Sequence, residues 1–138
     1  IIDNISWGNE KVSKNKIYKI AKDLDMHDKI KSLKNGYNTV VGDRGANLSG
    51  GEAQRIIIIR ALIRNPNILI LDEAINQLDS KSKKPIIKTL KMLKGDMTIF
   101  IISHSEDTIS LADNIFEVSN NSIKKLKKNK NWINYFKS

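Results

Sequence analysis

Leu48-Ser49-Gly50-Gly51-Glu52 is the most informative segment of this chain. Ser49 fits the position just before a helix, and Glu52, three residues later, completes a capping box. The two glycines allow close approach to the backbone, and the free N–H groups of a helix start favour phosphate oxygens. From these residues alone, an anion-binding site and a plain helix cap are equally supported.

The residues that follow predict a helix, a buried strand and a pair of carboxylates. Pro66 prevents the helix from continuing. Residues 68–71 are an unbroken aliphatic run, which predicts a strand buried on both faces. Asp72 and Glu73 come at its carboxyl end, where open α/β sheets bind ligands. There an Asp can hold Mg²⁺ through water and its neighbour can polarise an attacking water, although an isolated pair is more often a solvated turn.

The rest of the second half alternates between strand and helix patterns. Residues 80–93 predict a helix in which Pro85 either kinks the first turn or moves the start to Lys84. Another buried strand is expected at residues 98–102. The remaining elements are a short helix at 106–112 and a hairpin of residues 114–118 and 122–126, joined by Asn120-Asn121. This alternation predicts a parallel α/β sheet.

His104 follows the second predicted strand, again at a carboxyl end. An imidazole at this position can hydrogen-bond a phosphate or orient a water. A lone His at the end of a strand is, however, more often a polar terminus, so the residue alone leaves both interpretations open.

The first half of the chain predicts two helices and a loop. Residues 10–24 carry apolar side chains at helical spacing, and residues 27–33 predict a second, shorter helix that ends before Asn35-Gly36. Residues 39–41 then lead into a glycine-punctuated loop at 42–45.

The composition limits the class of protein. A chain of 138 residues is one domain at most, and the absence of Cys excludes disulfides and thiolate metal sites. The longest aliphatic runs have four residues, far short of the roughly 20 apolar residues that span a bilayer. The start, Ile1-Ile2-Asp3-Asn4, lacks the basic region of a signal peptide and an initiator Met, so we expect that sequence has been lost upstream.

The net charge of +9 points at first to a nucleic-acid partner. The residues from Asn120 to the end carry six Lys and no acidic residue, so they supply +6 and leave +3 for the rest of the chain. This distribution favours a solvated basic tail over contact with nucleic acid or anionic lipid.

Taken in order, the motifs resemble the second half of an ATP-binding-cassette (ABC) ATPase domain. Residues 48–52 look like the signature motif and residues 68–72 like Walker B, with Glu73 in the position of the catalytic base. Residues 74–79 resemble the D-loop, and His104 the switch histidine.

Two further segments resemble exporter-type transporters. Residues 3–9 are similar to the segment just after the Q-loop, and residues 36–45 to the lead-in to the signature, where a loop contacts the membrane domains. The resemblance covers residues 1–126 and implies an α/β, partial P-loop NTPase fold. The implied parts are a portion of the helical subdomain in residues 1–65, the carboxyl half of the RecA-like core in 66–126 and a basic tail in 127–138.

The resemblance also implies an activity, partners and residue roles. In this family two nucleotide-binding domains sandwich ATP head to tail, with Mg²⁺, and hydrolysis powers export through transmembrane domains at the cytoplasmic face of a membrane. No nucleic acid is expected. The implied roles are nucleotide binding in trans by Ser49, Gly50, Gly51 and Glu52; catalysis by Glu73 and His104; Mg²⁺ binding through water by Asp72; coupling between subunits by Asp79; and coupling to the membrane domains by Asp43 and Arg44.

Some features depart from the family pattern. Glu52 stands where Gln is commoner, and Asn76 and Gln77 replace the usual Ser and Ala of the D-loop. No Gly is followed by Lys, so the GxxxxGK[ST] phosphate loop is absent, as are the adenine-stacking aromatic and the Q-loop. We therefore expect the isolated chain neither to bind ATP tightly nor to hydrolyse it. Without the phosphate-loop strand, residues 99–102 should expose aliphatic side chains and leave the chain marginally stable or dependent on a partner.

Two other classes stay open beside an exporter ATPase. One is a truncated ABC fragment that keeps the fold signature without activity. The other is a DNA-associated ATPase of the structural-maintenance-of-chromosomes type, whose signature follows a long coiled coil. No sustained heptad pattern precedes Leu48, so the exporter ATPase is favoured.

Overall fold

A computed structural model describes residues 1–9, 11–42, 48–76 and 78–127. The described elements are, in chain order, α1 (Ile2–Ser6), α2 (Lys14–Asp23), α3 (His27–Ser32), a 3₁₀ turn (Gly36–Asn38), α4 (Gly50–Leu62), β1 (Ile68–Asp72), α5 (Ser80–Met92), β2 (Thr98–Ile102), α6 (Glu106–Ile109), β3 (Ile115–Ser119) and β4 (Ser122–Leu126). Within these residues no helix is both long and apolar enough to cross a lipid bilayer.

One apolar core joins the amino-terminal helices to α4 and to the second half. Helix α2 is amphipathic and turns Ile17 and Ala21 inward. Helix α5 is tied to α2, because the Thr89 hydroxyl donates to the Asp23 carbonyl at 2.8 Å. The large side chains that are fully buried are Ile5, Ile17, Leu24, Met26, Ile30, Ile58, Ile59, Ile63, Ile75 and Ile86.

Helix α4 begins with the capping box that the sequence predicts. The Ser49 hydroxyl accepts from the Glu52 N–H at 3.2 Å, and the Glu52 carboxylate accepts from the Ser49 N–H at 2.9 Å. Glu52 also pairs with Lys29 of α3 at 3.3 Å. The cap satisfies donors that a helix start would otherwise leave free, and the ion pair joins α4 to the first half of the chain.

Strands β1 and β2 form a parallel pair, in register from Ile68 beside Thr98 to Asp72 beside Ile102. The predicted parallel arrangement is confirmed. Both carboxyl ends consequently meet at the same edge, which brings the residues that follow each strand close together.

The prediction that these strands are buried on both faces is wrong. Leu69 and Leu71 face the core at 4% and 5% exposure, whereas Ile70 between them is 65% exposed. On β2, Phe100 and Ile102 are likewise exposed while Ile99 and Ile101 are partly buried. Among the described residues the core lies against one face only, so burial alternates along each strand. The exposed aliphatic face agrees with the expectation for residues 99–102.

The antiparallel hairpin of β3 and β4 is confirmed, with Val118 beside Ile123 and Ser119 beside Ser122. Its two-residue turn is Asn120-Asn121, with φ of 47° and 57°. A type I′ turn needs positive φ at both central residues, and Asn tolerates that conformation better than most residues.

Three predicted boundaries are corrected. Helix α2 begins at Lys14 rather than residue 10, because the Ser13 hydroxyl caps it by accepting from the Lys16 N–H. Helix α5 begins at Ser80 after its Asp79 cap and holds Pro85 inside it, so a delayed start at Lys84 is wrong.

The third correction concerns α6, which ends at Ile109 rather than at Ala112. The Leu111 N–H donates to the Thr108 carbonyl and the Ala112 N–H to the Ile109 carbonyl, which are the shorter bonds of a 3₁₀ turn. The predicted division at residues 65 and 66 and the basic tail stay predictions; residues 128–138 lie outside the described residues.

The one-sided burial of β1 leads to a test on two neighbouring residues. Leu71→Ala should lower the free energy of unfolding by about 2–5 kcal/mol, because it leaves a cavity in the core. Ile70→Ala, one residue away on the exposed face, should cost less than about 1 kcal/mol. Urea unfolding of the two variants measures both values, and equal losses would contradict the one-sided strand.

The ion pair of Glu52 leads to a test of pH dependence. Partial burial acts to raise the pKa of Glu52, but the Ser49 N–H and the Lys29 ammonium outweigh it and hold the pKa below its usual value. A carboxyl with a lowered folded-state pKa stabilises the fold above its unfolded pKa, and this contribution disappears as the pH falls through the folded value. Glu52→Gln keeps the capping box and should cost less than about 1 kcal/mol at pH 7.

The loss caused by Glu52→Gln should disappear once the pH falls below the folded-state pKa of Glu52, because the native carboxyl is then neutral as well. Lys29→Gln removes the same ion pair and should give a similar loss at pH 7, whereas Lys31→Gln, at an exposed lysine of the same helix, should give none. Urea unfolding at pH 7 and at a pH below the folded-state pKa of Glu52 provides the comparison. A loss that persists at low pH would show that the charge of Glu52 is not the cause.

Candidate functional site

Three segments meet around a cleft of about 590 Å³. They are the start of α4, the residues just after β1 and the start of α5. The lining residues are Ser49, Gly50, Gly51, Gln54, Asp72, Glu73, Ala74, Leu78 and Asp79. Two helix N-termini, whose dipoles favour anions, thus share one cleft with two adjacent carboxylates, which favour cations.

The first residues of α4 at the cleft have small side chains or none. Ser49 and Gly50 are exposed, and a Cβ added to Gly50 would meet nothing within 4 Å. Gly51 is buried against α5. The Ser49 oxygen accepts the capping bond, so the hydroxyl hydrogen stays available to a ligand.

Glu52 does not line the cleft. Its carboxylate is held by the Ser49 N–H and by Lys29, which does not line the cleft either. The Glu52 carboxylate therefore repels an anion in the cleft less than a carboxylate that lines the cleft would. The structure therefore places Glu52 as a support of the helix start.

Glu73 stands at the carboxyl end of β1 in a left-handed conformation, with φ of 48°. Such a conformation costs a residue other than glycine about 1–3 kcal/mol and is common at functional sites. The Glu73 N–H donates to the Ile102 carbonyl at 3.0 Å, which fixes this backbone to the end of β2. Asp72, one residue earlier, lines the same cleft.

The structure brings His104 to Glu73, with 3.1 Å between His104 Nε2 and Glu73 Oε1. Both side chains are largely exposed, at 82% and 55%. An exposed pair of this kind adds little to stability, so its position beside the cleft matters more than its strength. His104 is beside the cleft but is not one of its lining residues.

Asp79 caps α5. Its Oδ1 accepts from the Lys81 N–H at 2.9 Å and from the Ser82 N–H at 3.0 Å. These bonds, with that from the Ser82 N–H the strongest influence, hold the pKa of Asp79 below its usual value. The Asp79 carboxylate is therefore charged and held in a fixed orientation at the cleft, and it also caps α5.

Some residues at the site escaped the sequence analysis. Gln54 lines the cleft one helical turn after Gly50, so the i, i+4 spacing on α4 could have found it. Asn76 accepts a hydrogen bond from the Ser103 hydroxyl, which in turn accepts from the Ser105 N–H. These hydrogen bonds join the turn after β1 to the end of β2. The two segments are far apart in the sequence, so no local sequence pattern predicts the contact.

The remaining predicted site residues, Asp43 and Arg44, lie outside the described residues, as does Gln77.

The carboxylates at the cleft suit a Mg²⁺ ion that is also bound by a phosphate ligand. Within the described parts of the chain, no group of three or more His, Cys, Asp or Glu side chains could hold a metal ion. Asp72 and Glu73 supply two carboxylates, and Mg²⁺ is typically held by one or two carboxylates together with water and substrate phosphates. The residues therefore fit an ion that is shared with a phosphate ligand.

Comparison with known proteins agrees with this chemistry. The family model described as ABC transporter matches residues 3–76. Multidrug resistance protein 3 of Entamoeba histolytica is 52% identical over 119 residues, 83% of this chain and 9% of that protein. The alpha-hemolysin translocation ATP-binding protein HlyB of Escherichia coli is 47% identical over 115 residues, 83% of this chain and 16% of that protein.

A third relative, ABC transporter B family member 1 of Dictyostelium discoideum, is 36% identical over 134 residues, 97% of this chain and 15% of that protein. The chain thus spans less than a fifth of the length of these relatives. The family match covers more than half of its 138 residues and includes the α4 start and the Asp72-Glu73 pair. The chain belongs to the ABC transporter family and corresponds to part of the nucleotide-binding domain of its exporters.

Proposed function

We propose that this chain supplies the signature and Walker B half of the ATP-hydrolysing domain of an ABC exporter. The observation that carries the proposal is the convergence of the α4 start, the Asp72-Glu73 pair and Asp79 on one cleft. The helix starts favour phosphate and the Asp72-Glu73 pair favours a divalent cation. In a head-to-tail dimer the carboxylates would serve the nucleotide on the chain's own side, and the α4 start would contact the nucleotide held by a second domain.

The α4 side of the cleft would bind phosphate. Ser49 offers a hydroxyl hydrogen, and the exposed Gly50 lets an oxygen approach the backbone N–H groups. In the head-to-tail arrangement of this family, that oxygen belongs to the γ-phosphate of ATP held by a second nucleotide-binding domain. Glu52 would assist indirectly, by keeping the helix start capped.

The carboxylate side would serve hydrolysis. Glu73 takes a proton from a water whose oxygen attacks the γ-phosphorus, and the bond from phosphorus to the bridging oxygen breaks so that ADP leaves. His104, 3.1 Å from Glu73, orients that carboxylate or the water. Asp72 would hold Mg²⁺ through water, and the bound ion supplies neutralisation of the phosphate charge.

The partners are part of the same proposal. The 138 residues contain no Gly-Lys pair, so the phosphate loop of a complete site has to come from residues outside them. A second nucleotide-binding domain would complete the ATP sandwich, with Asp79 communicating between its two sites. Transmembrane domains at the cytoplasmic face of a membrane would contact Asp43 and Arg44, and would carry the exported substrate.

An inactive ABC fragment is the second candidate, because the same absence of a Gly-Lys pair leaves these residues without a phosphate loop of their own. The two candidates differ in whether the cleft supports hydrolysis once a phosphate loop is supplied. The segment of HlyB that aligns with this chain is 47% identical to it. A complete domain can therefore be built by joining this chain to the phosphate-loop half of HlyB.

In this complete domain, Glu73→Gln should lower kcat for ATP by at least about 100-fold, because Gln keeps the size of the side chain but cannot accept the proton. ATP binding should be retained. The matched control is Glu117→Gln, at an exposed glutamate of β3 away from the cleft, which should leave kcat unchanged. Steady-state phosphate release and nucleotide binding give both quantities, and full turnover by Glu73→Gln would remove Glu73 from its role.

A further inference from the structure

Helices α4 and α5 meet most closely at Ser82. This serine lies in the first turn of α5 and is 8% exposed. A Cβ built on Gly51 would stand 2.4 Å from the Ser82 Oγ and 2.8 Å from the Ser82 Cβ, much closer than unbonded atoms approach each other. The two helix starts therefore pack at this distance only because residue 51 has no side chain.

The neighbouring glycine behaves differently. A Cβ on Gly50 would meet nothing within 4 Å, so packing does not require glycine at that position. Neither Gly50 nor Gly51 has a positive φ that would demand glycine for conformational reasons. Of these two adjacent glycines at the cleft, only Gly51 is therefore required by the packing of the helices.

Ser82 also contacts Asp79, which lines the cleft at the start of α5. Its N–H donates to Asp79 Oδ1 at 3.0 Å. Ser82 itself does not line the cleft. It touches one lining residue on each side, Gly51 at the start of α4 and Asp79 at the start of α5.

We infer that Ser82 is a positioning residue that holds the α4 start and Asp79 at a fixed separation, so that both present themselves to the nucleotide as one rigid unit. This inference rests on the proposed function, since it assigns the separation a task in ATP hydrolysis. Ser82 acts through Gly51 and Asp79 and would not itself touch the nucleotide. A change in its size should shift the start of α4 relative to the start of α5.

The test is a size exchange in the complete domain described above. Gly51→Ala should lower kcat per bound nucleotide by about 10- to 100-fold, because the new methyl group pushes α4 away from α5. Adding Ser82→Gly makes room for that methyl group and should restore at least about tenfold of the loss. Adding Ser82→Ala should restore less than Ser82→Gly, because it removes the hydroxyl oxygen at 2.4 Å but leaves the Cβ at 2.8 Å.

Gly50→Ala is the matched control, because its side chain would not reach Ser82. Whatever loss it causes by obstructing the phosphate, Ser82→Gly should not restore activity to it. The rate is divided by the measured stoichiometry of bound nucleotide, so that loss of folded protein lowers the stoichiometry and not the rate per site. Rescue of Gly51→Ala alone supports the inference, whereas rescue of both variants or of neither overturns it.

Melting temperatures of the same variants separate the inference from the proposed function. If the complete domain does not hydrolyse ATP, the proposed function fails, together with the catalytic task of Ser82. Contact between residues 51 and 82 then still predicts that Ser82→Gly offsets the fall in melting temperature caused by Gly51→Ala. Simple addition of the two single effects would show that the contact does not hold the helices.

Discussion

The structure depends on the close packing of two capped helix starts. Ser49 and Glu52 cap α4, Asp79 caps α5, and the absence of a side chain at Gly51 allows the two starts to meet at Ser82. Because each cap satisfies backbone donors locally, both N-termini can lie at a cleft without costly unpaired groups. The same packing that joins the two halves of the chain thereby creates the anion-favouring wall of the site.

The parallel pair β1 and β2 supplies the other wall. Its register brings the two carboxyl ends together, and the bond from the Glu73 N–H to the Ile102 carbonyl locks the turn after β1 to the end of β2. Glu73 and His104 come within 3.1 Å for this reason, although 30 residues separate them in the sequence. The mixed α/β structure with parallel strands agrees with the P-loop NTPase fold of the ABC transporter family.

The sequence predicted those features of the structure that depend on interactions between residues close together in the chain. The capping box at Ser49, the parallel pairing of the two strands and the Asn120-Asn121 turn were predicted correctly; the first strand extends one residue beyond the predicted 68–71. Burial was predicted wrongly at Ile70, because an aliphatic run does not reveal whether anything covers both faces of a strand. The contact between Gly51 and Ser82 was not predicted, since it depends on how distant segments pack.

The most direct test of the central claim is Mg-ATP hydrolysis by this chain, alone and after mixing with a separately made amino-terminal half of an exporter nucleotide-binding domain. The account predicts no turnover by either piece and turnover by the mixture, because the cleft described here lacks only the phosphate-loop half of its site. Turnover by the chain alone would contradict the claim that the phosphate loop must be supplied. A mixture that binds ATP without hydrolysing it would contradict the assignment of the cleft as a catalytic site.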